Sequence, residues 1–92
     1  MTIDPKAAAS VLDRIDEREL VDLALALSNV ESPAGEEGEA GEAIHAWLAG
    51  NGFAPKRIGI FEDRFNVFAE LPGSGAGPAL AFNAHMDTSV RR

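Results

Sequence analysis

The spacing of apolar residues changes from a helical to a strand-like pattern near Phe53, and this change restricts the fold more than any other feature. Before Phe53, apolar residues recur at offsets of three and four, as on one face of a helix. After it come short runs rich in Ile, Val and Phe, which are typical of strands. A chain of 92 residues buries only about 60 to 65% of its unfolded surface, so both halves must share one thin core. The order predicts an α/β fold in one domain, with helices first and then the strands of a mixed sheet.

Three helical segments are predicted in the first half of the chain. The first runs from Pro5 to about Asp16 behind Asp4 as N-cap, and the second from Glu17 to Asn29. Whether these two form one kinked helix or two helices is left open by the pattern. The third runs from about Glu36 to Leu48, after a turn that contains Pro33 and Gly35. Four apolar residues form its expected buried stripe: Ala40, Ile44, Trp47 and Leu48.

Three strands are predicted after Phe53. Residues Lys56 to Phe61 and Asn66 to Leu71 read as adjacent strands separated by Glu62-Asp63-Arg64. The Gly-rich residues 72–78 form a flexible connection. Residues Ala79 to about Ala84 are apolar on both faces, which is typical of a central strand in a covered sheet.

The charge balance and the absence of cysteine exclude several classes of partner and site. Fifteen Asp and Glu residues stand against eight Lys and Arg, a formal net charge of −7, which disfavours nucleic acid and anionic membrane surfaces as partners. Without cysteine, disulfides and thiolate metal sites are excluded. The first residues lack the pattern of a signal peptide, and no apolar run reaches the length of a membrane span. We therefore expect a cytoplasmic protein.

His85 and Asp87 follow the predicted third strand directly and form the candidate site. Because strand side chains alternate between faces, residues two apart point the same way. A carboxylate beside an imidazole holds the tautomer that leaves the other ring nitrogen available to a metal. Ligands in open α/β sheets gather beyond the carboxyl ends of central strands, where His85 is expected to lie. The pattern therefore predicts a metal ligand at His85, with Asp87 as its hydrogen-bonding partner.

Two further groups of polar residues receive a structural interpretation. Glu36 and Glu37 diverge by about 100° on a helix, so they are more typical of acids that stabilise a helix N-terminus than of a catalytic pair. His45 lies on the flank of the third helix without a second histidine at a neighbouring turn. We expect it to be an ordinary surface residue.

Three segments in this order resemble a known family. They are the turn Ser32–Glu37, the run Asn66–Gly73, and the run Ala79–Thr88 that contains the His-x-Asp motif. Together they resemble the zinc-dependent amidohydrolases and exopeptidases that include acetylornithine deacetylase, succinyl-diaminopimelate desuccinylase, aminoacylase and carboxypeptidase G. The resemblance extends from about Glu17 to Thr88, nearly the whole chain.

The resemblance implies a two-zinc hydrolase that cleaves amide bonds next to a carboxylate. In that family the fold is a three-layer α/β/α catalytic domain with an inserted dimerisation domain. His85 matches the first metal ligand, and Asp87 matches the catalytic-site carboxylate that orients a liganding histidine. The implied metal is zinc, two ions in the intact enzyme, with cobalt as an alternative. The implied substrates are N-acyl amino acids or small peptides, as for a deacylase or carboxypeptidase, and the intact protein is expected to be a homodimer.

The remaining ligands and the general base of that family lie downstream of the motif. Glu36-Glu37 precedes the motif and does not match the family's Glu-Glu pair. We therefore expect residues 1–92 to be the N-terminal fragment of the catalytic domain, without the rest of that domain or the dimerisation domain, and inactive alone. Two alternatives stay open: a small acidic, non-catalytic interaction module derived from such an enzyme, and an unrelated α+β domain in which His85 is structural.

Overall fold

The computed structural model describes residues 3–61 and 63–88, with the backbone alone for Ile60. Its elements are α1 (Pro5–Leu12), α2 (Glu17–Ser28), α3 (Gly38–Gly50), β1 (Lys56–Phe61) and β2 (Arg64–Phe68). The predicted order of helices followed by strands is confirmed, and the described part of the chain is a small mixed α/β structure. None of the helices in that part is long and apolar enough to cross a membrane.

α1 and α2 are two separate helices, because each has its own aspartate N-cap. The Asp4 carboxylate accepts the backbone N–H of Lys6 at 3.0 Å. The Asp16 carboxylate accepts the N–H groups of Arg18 at 2.9 Å and Glu19 at 3.3 Å. Such caps satisfy N–H groups that lack a partner in the first helical turn. The cap at Asp16 shows that the segment forms two helices rather than one kinked helix, which the apolar pattern had left open. α1 ends at Leu12, earlier than predicted.

α3 packs against the antiparallel hairpin of β1 and β2 through two of the small residues of the helix. Ala40 and Gly41 are buried, and a Cβ placed on Gly41 would lie 2.8 Å from Cε2 of Phe65. The Phe65 ring, 8% exposed, therefore lies directly on the helix backbone. The predicted stripe of α3 is confirmed in part, since Ala40 is buried whereas its other three members are half-buried. On another side α3 meets α2, and Leu23 and Trp47 line one groove.

β1 and β2 form an antiparallel hairpin that is tied to α3. Lys56 pairs with Phe68 and Ile58 with Asn66, and the register is irregular between Ile58 and Phe61. From β1, the Arg57 guanidinium donates to both carboxylate oxygens of Glu42 on α3, at 2.9 and 2.6 Å. A bidentate pair of this kind restricts orientation as well as distance, and it joins α3 to β1 at a half-exposed position.

The third strand predicted at Ala79–Ala84 is not formed. Residues 69–87 have no regular secondary structure, and Leu80 and Phe82 are 80% and 89% exposed. An apolar run predicts a covered environment, but a strand also needs a neighbour whose N–H and C=O groups complete its hydrogen bonds. Within residues 3–61 and 63–88 the sheet has two strands, antiparallel rather than mixed, and no third layer.

We expect the 92-residue chain to associate with itself through this exposed apolar segment. Extended apolar backbone without a partner recruits other chains. The variant Leu80→Asp/Phe82→Asp should lower the mean mass measured by sedimentation across a wide range of concentrations. Val11→Asp, on the exposed side of α1, is the matched control and should leave the mass unchanged. A parent chain that stays monomeric at every concentration would contradict this expectation.

Candidate metal-binding site

His85 and Asp87 lie on the wall of an open pocket of about 380 Å³. The same pocket is lined by Glu37 at the N-terminus of α3 and by residues of both strands, including Phe61 of β1 and Arg64 and Phe65 of β2. Two segments that are distant from the His-x-Asp motif in sequence, the N-terminus of α3 and the β1–β2 hairpin, therefore lie around it. His45, on α3, does not line this pocket.

The His85 ring is held by Asp87 through one nitrogen. Nδ1 of His85 lies 3.0 Å from the Asp87 carboxylate oxygen Oδ1 and 2.9 Å from the Asp87 backbone oxygen. A carboxylate and a carbonyl oxygen only accept hydrogen bonds, so the chemistry of the partners assigns the proton to Nδ1. A neutral ring in this tautomer has its lone pair on Nε2. The side chain is 84% exposed, so Nε2 is accessible to a metal.

Ser32 holds the motif from the other side. This residue is 2% exposed, and its hydroxyl donates to the backbone oxygen of Met86 at 3.0 Å. The N–H of Thr88 donates to the backbone oxygen of Ser32 at 2.7 Å, and Pro33 pairs with Thr88 in a parallel bridge. The turn before α3 is therefore joined to both neighbours of Asp87.

Glu37 links the same turn to the hairpin. It occupies the N-cap position of α3, so the helix begins two residues later than the predicted start at Glu36, and its side chain makes no capping hydrogen bond to the helix. Its carboxylate accepts the N–H of Gly35 at 3.0 Å and Nε of Arg64 at 2.8 Å. These two bonds, the Gly35 N–H first, lower the pKa of the Glu37 carboxyl below its ordinary value of 4.5. Gly35 has a φ of 92°, a conformation that favours glycine.

We expect Glu37 to contribute stability that is lost in acid. Because its pKa is lowered on folding, this contribution is present above the ordinary value of 4.5 and disappears as the pH falls through the lowered pKa. Glu37→Gln should therefore reduce the loss of stability below pH 4.5, measured as the urea midpoint against pH. Glu36→Gln, at the exposed neighbouring position, is the control and should follow the parent curve. Equal pH dependence in all three proteins would contradict the expectation.

The described residues offer one candidate ligand for zinc. His85 offers an exposed Nε2, and its Nδ1 is held by the carboxylate that such ligands commonly have. A catalytic zinc usually takes three protein ligands, and residues 3–61 and 63–88 contain no cluster of three or more His, Asp or Glu side chains arranged to hold a metal. The roles assigned to His85 and Asp87 stay predictions.

The sequence pattern did not identify Ser32 or Arg64 as site residues. It placed Ser32 in the turn before the third helix and Arg64 in the turn between the first two strands. Ser32 reaches Met86 across 54 positions, and Arg64 reaches Glu37 across 27. No local pattern in the sequence signals contacts over such separations. No protein-family model matches this chain, so the family relationship stays a resemblance.

Proposed function

We propose that this chain is the N-terminal part of the catalytic domain of a zinc-dependent hydrolase. The enzyme would cleave the amide bond of an N-acyl amino acid or small peptide. The observation that carries the proposal is the geometry of His85, whose Nδ1 is held by Asp87 and whose Nε2 is exposed on an open pocket. The resemblance of residues 17–88 to the zinc amidohydrolases supports the same conclusion.

In this proposal each residue of the motif has a distinct task. His85 would hold one of two zinc ions through Nε2, and Asp87 would orient the ring and raise its basicity. When bound, zinc would polarise the substrate carbonyl and acidify water. The remaining ligands and the general base would come from polypeptide other than the described residues.

The same proposal accounts for the exposed segment 79–84. In a complete α/β/α domain, further strands would pair with this segment and further layers would cover Leu80 and Phe82, which are exposed here. The intact enzyme would be a cytoplasmic homodimer, with cobalt able to replace zinc.

The second candidate function is a non-catalytic interaction module, and the same exposure favours it. In that case Leu80 and Phe82 would contact another protein, and the His-x-Asp motif would be a relic. The coding sequence beyond Arg92 separates the two candidates. An open reading frame with a metal-bridging Asp and a Glu-Glu pair supports the hydrolase, and a genuine stop codon in independent transcripts supports the module.

The decisive experiment is an assay of the full-length protein on N-acyl amino acids and dipeptides. We expect hydrolysis that a chelator removes and that added zinc restores. Absence of chelator-sensitive hydrolysis on both substrate classes, in a folded protein, would overturn the proposal.

A further inference from the structure

We infer that Ser32 is a positioning residue that selects the tautomer of His85 by holding both peptide groups that flank Asp87. The importance of this tautomer for metal binding rests on the proposed function. The contacts that select it do not depend on that function, because they lie entirely within the described chain.

Ser32 holds the peptide group that joins Asp87 to Thr88. The described backbone contains no cis peptide bond, and in a trans peptide group the C=O and N–H point in opposite directions. The N–H of this group donates to the Ser32 backbone oxygen at 2.7 Å. Its C=O therefore faces away from Ser32, and there it lies 2.9 Å from Nδ1 of His85. Holding one edge of the peptide group orients the other edge toward the imidazole.

Ser32 also holds the preceding peptide group, between Met86 and Asp87. Its C=O accepts the hydroxyl of Ser32 at 3.0 Å. Ser32 therefore bonds to the peptide groups on both sides of Asp87, one through its side chain and one through its backbone. With both groups held, the direction in which Asp87 projects its carboxylate is also restricted, and that carboxylate lies 3.0 Å from Nδ1.

Ser32 can act as an anchor because it is buried and is followed by a proline. It is 2% exposed, so water competes little for its bonds, and loss of the hydroxyl would leave the Met86 carbonyl without this partner. Pro33, which follows it, has a restricted φ and pairs with Thr88. Ser32 is thus buried in a conformationally restricted segment, whereas the His85 ring that it orients is exposed.

The consequence is a preference between the two neutral forms of His85. An unconstrained imidazole places its proton on either nitrogen, but two acceptors at Nδ1 favour the form that leaves Nε2 without a proton. Ser32, 53 positions upstream of His85 by its number in the sequence, would thereby prepare Nε2 as a ligand before any metal binds.

The test is nitrogen NMR of the metal-free chain at a pH where the imidazole is neutral and at a dilution where sedimentation finds the chain monomeric. The Nδ1 and Nε2 shifts of His85 report its tautomer. We expect the parent to be mainly the Nδ1–H form, and Ser32→Ala to move the shifts toward a mixture of both forms and to accelerate hydrogen exchange of the Thr88 amide. Ser32→Thr, which keeps a hydroxyl, should restore the parent shifts. Ser28→Ala, at an exposed serine of α2, is the matched control and should leave them unchanged.

Two further measurements test the same contacts if Ser32→Ala does not fold. In the parent, a coupling across the hydrogen bond from the Thr88 N–H to the Ser32 oxygen should be detectable. Thr88→Pro removes that N–H at an exposed position and should shift the tautomer as Ser32→Ala does. A folded Ser32→Ala or Thr88→Pro protein with the parent tautomer would overturn the inference. Since no metal or substrate is present, failure here is distinct from failure of the proposed function.

Discussion

Replacing His85 with alanine in the full-length protein should remove one of two bound zinc ions and reduce turnover by more than about 100-fold. The change deletes the Nε2 ligand itself, whereas loss of an outer partner typically costs about 10- to 100-fold in metal affinity or activity. The companion variant Asp87→Asn should fall within that smaller range and keep most of the zinc. The amide oxygen can still accept from Nδ1, but it carries no charge to raise the basicity of the ring.

The measurements are metal analysis and steady-state kinetics on an N-acyl amino acid. His45→Ala is the matched control, because His45 is the other of the two histidines in the chain and does not line the pocket. It should retain parent zinc content and activity. Near-normal activity in His85→Ala would show that His85 is not a metal ligand, and the proposed function would then lose its basis.

Replacing Phe65 with alanine should destabilise the fold more than any other single truncation in the described structure. The ring is buried against the backbone of α3 at Gly41, and the Arg57 guanidinium lies 5.9 Å from its centroid. Truncation of a buried Phe typically costs about 3 to 5 kcal/mol. Small domains are stable by only about 5 to 15 kcal/mol, and this core is small, so much of the stability should be lost.

Urea denaturation followed by circular dichroism measures this loss. Phe68→Ala is the matched control, since Phe68 belongs to the same strand but is about half-exposed. It should lower the midpoint much less. If the two variants unfold at the same urea concentration, the packing of α3 on Phe65 is not what stabilises the hairpin.

The elements that the sequence predicted well are those whose causes are local. The N-cap at Asp4 depends on an N–H two residues away, and the start of α2 at Glu17 depends on Asp16 in the same way. The strand Lys56–Phe61 begins and ends as predicted, because its partner follows it directly in the chain. The pairing of His85 with Asp87 is also local, although residues 81–87 are not a strand and strand alternation is not its cause.

The residues around the motif depended on the tertiary structure. Ser32 bonds to Met86 in the motif, and Arg64 bonds to Glu37. Hydrophobic periodicity describes each of these segments alone, so it does not predict contacts between them. Residues 79–84 are exposed because no strand of the described structure pairs with them. An apolar run in the sequence does not show which strands will lie beside it.

The sequence by itself determined that helices come first and two adjacent strands follow, and it determined the His-x-Asp pair, since caps, turns and hydrogen bonds between near neighbours act over a few residues. The predicted bounds were less accurate: α1 ends at Leu12 rather than near Asp16, and β2 spans Arg64–Phe68 rather than Asn66–Leu71. Only the tertiary structure decided that Ser32 anchors both sides of Asp87, that Glu37 and Arg64 complete the pocket wall, and that the third apolar run lies open to solvent. Those outcomes depend on packing and on hydrogen bonds between segments distant in the chain, which form only when the whole fold brings the segments together.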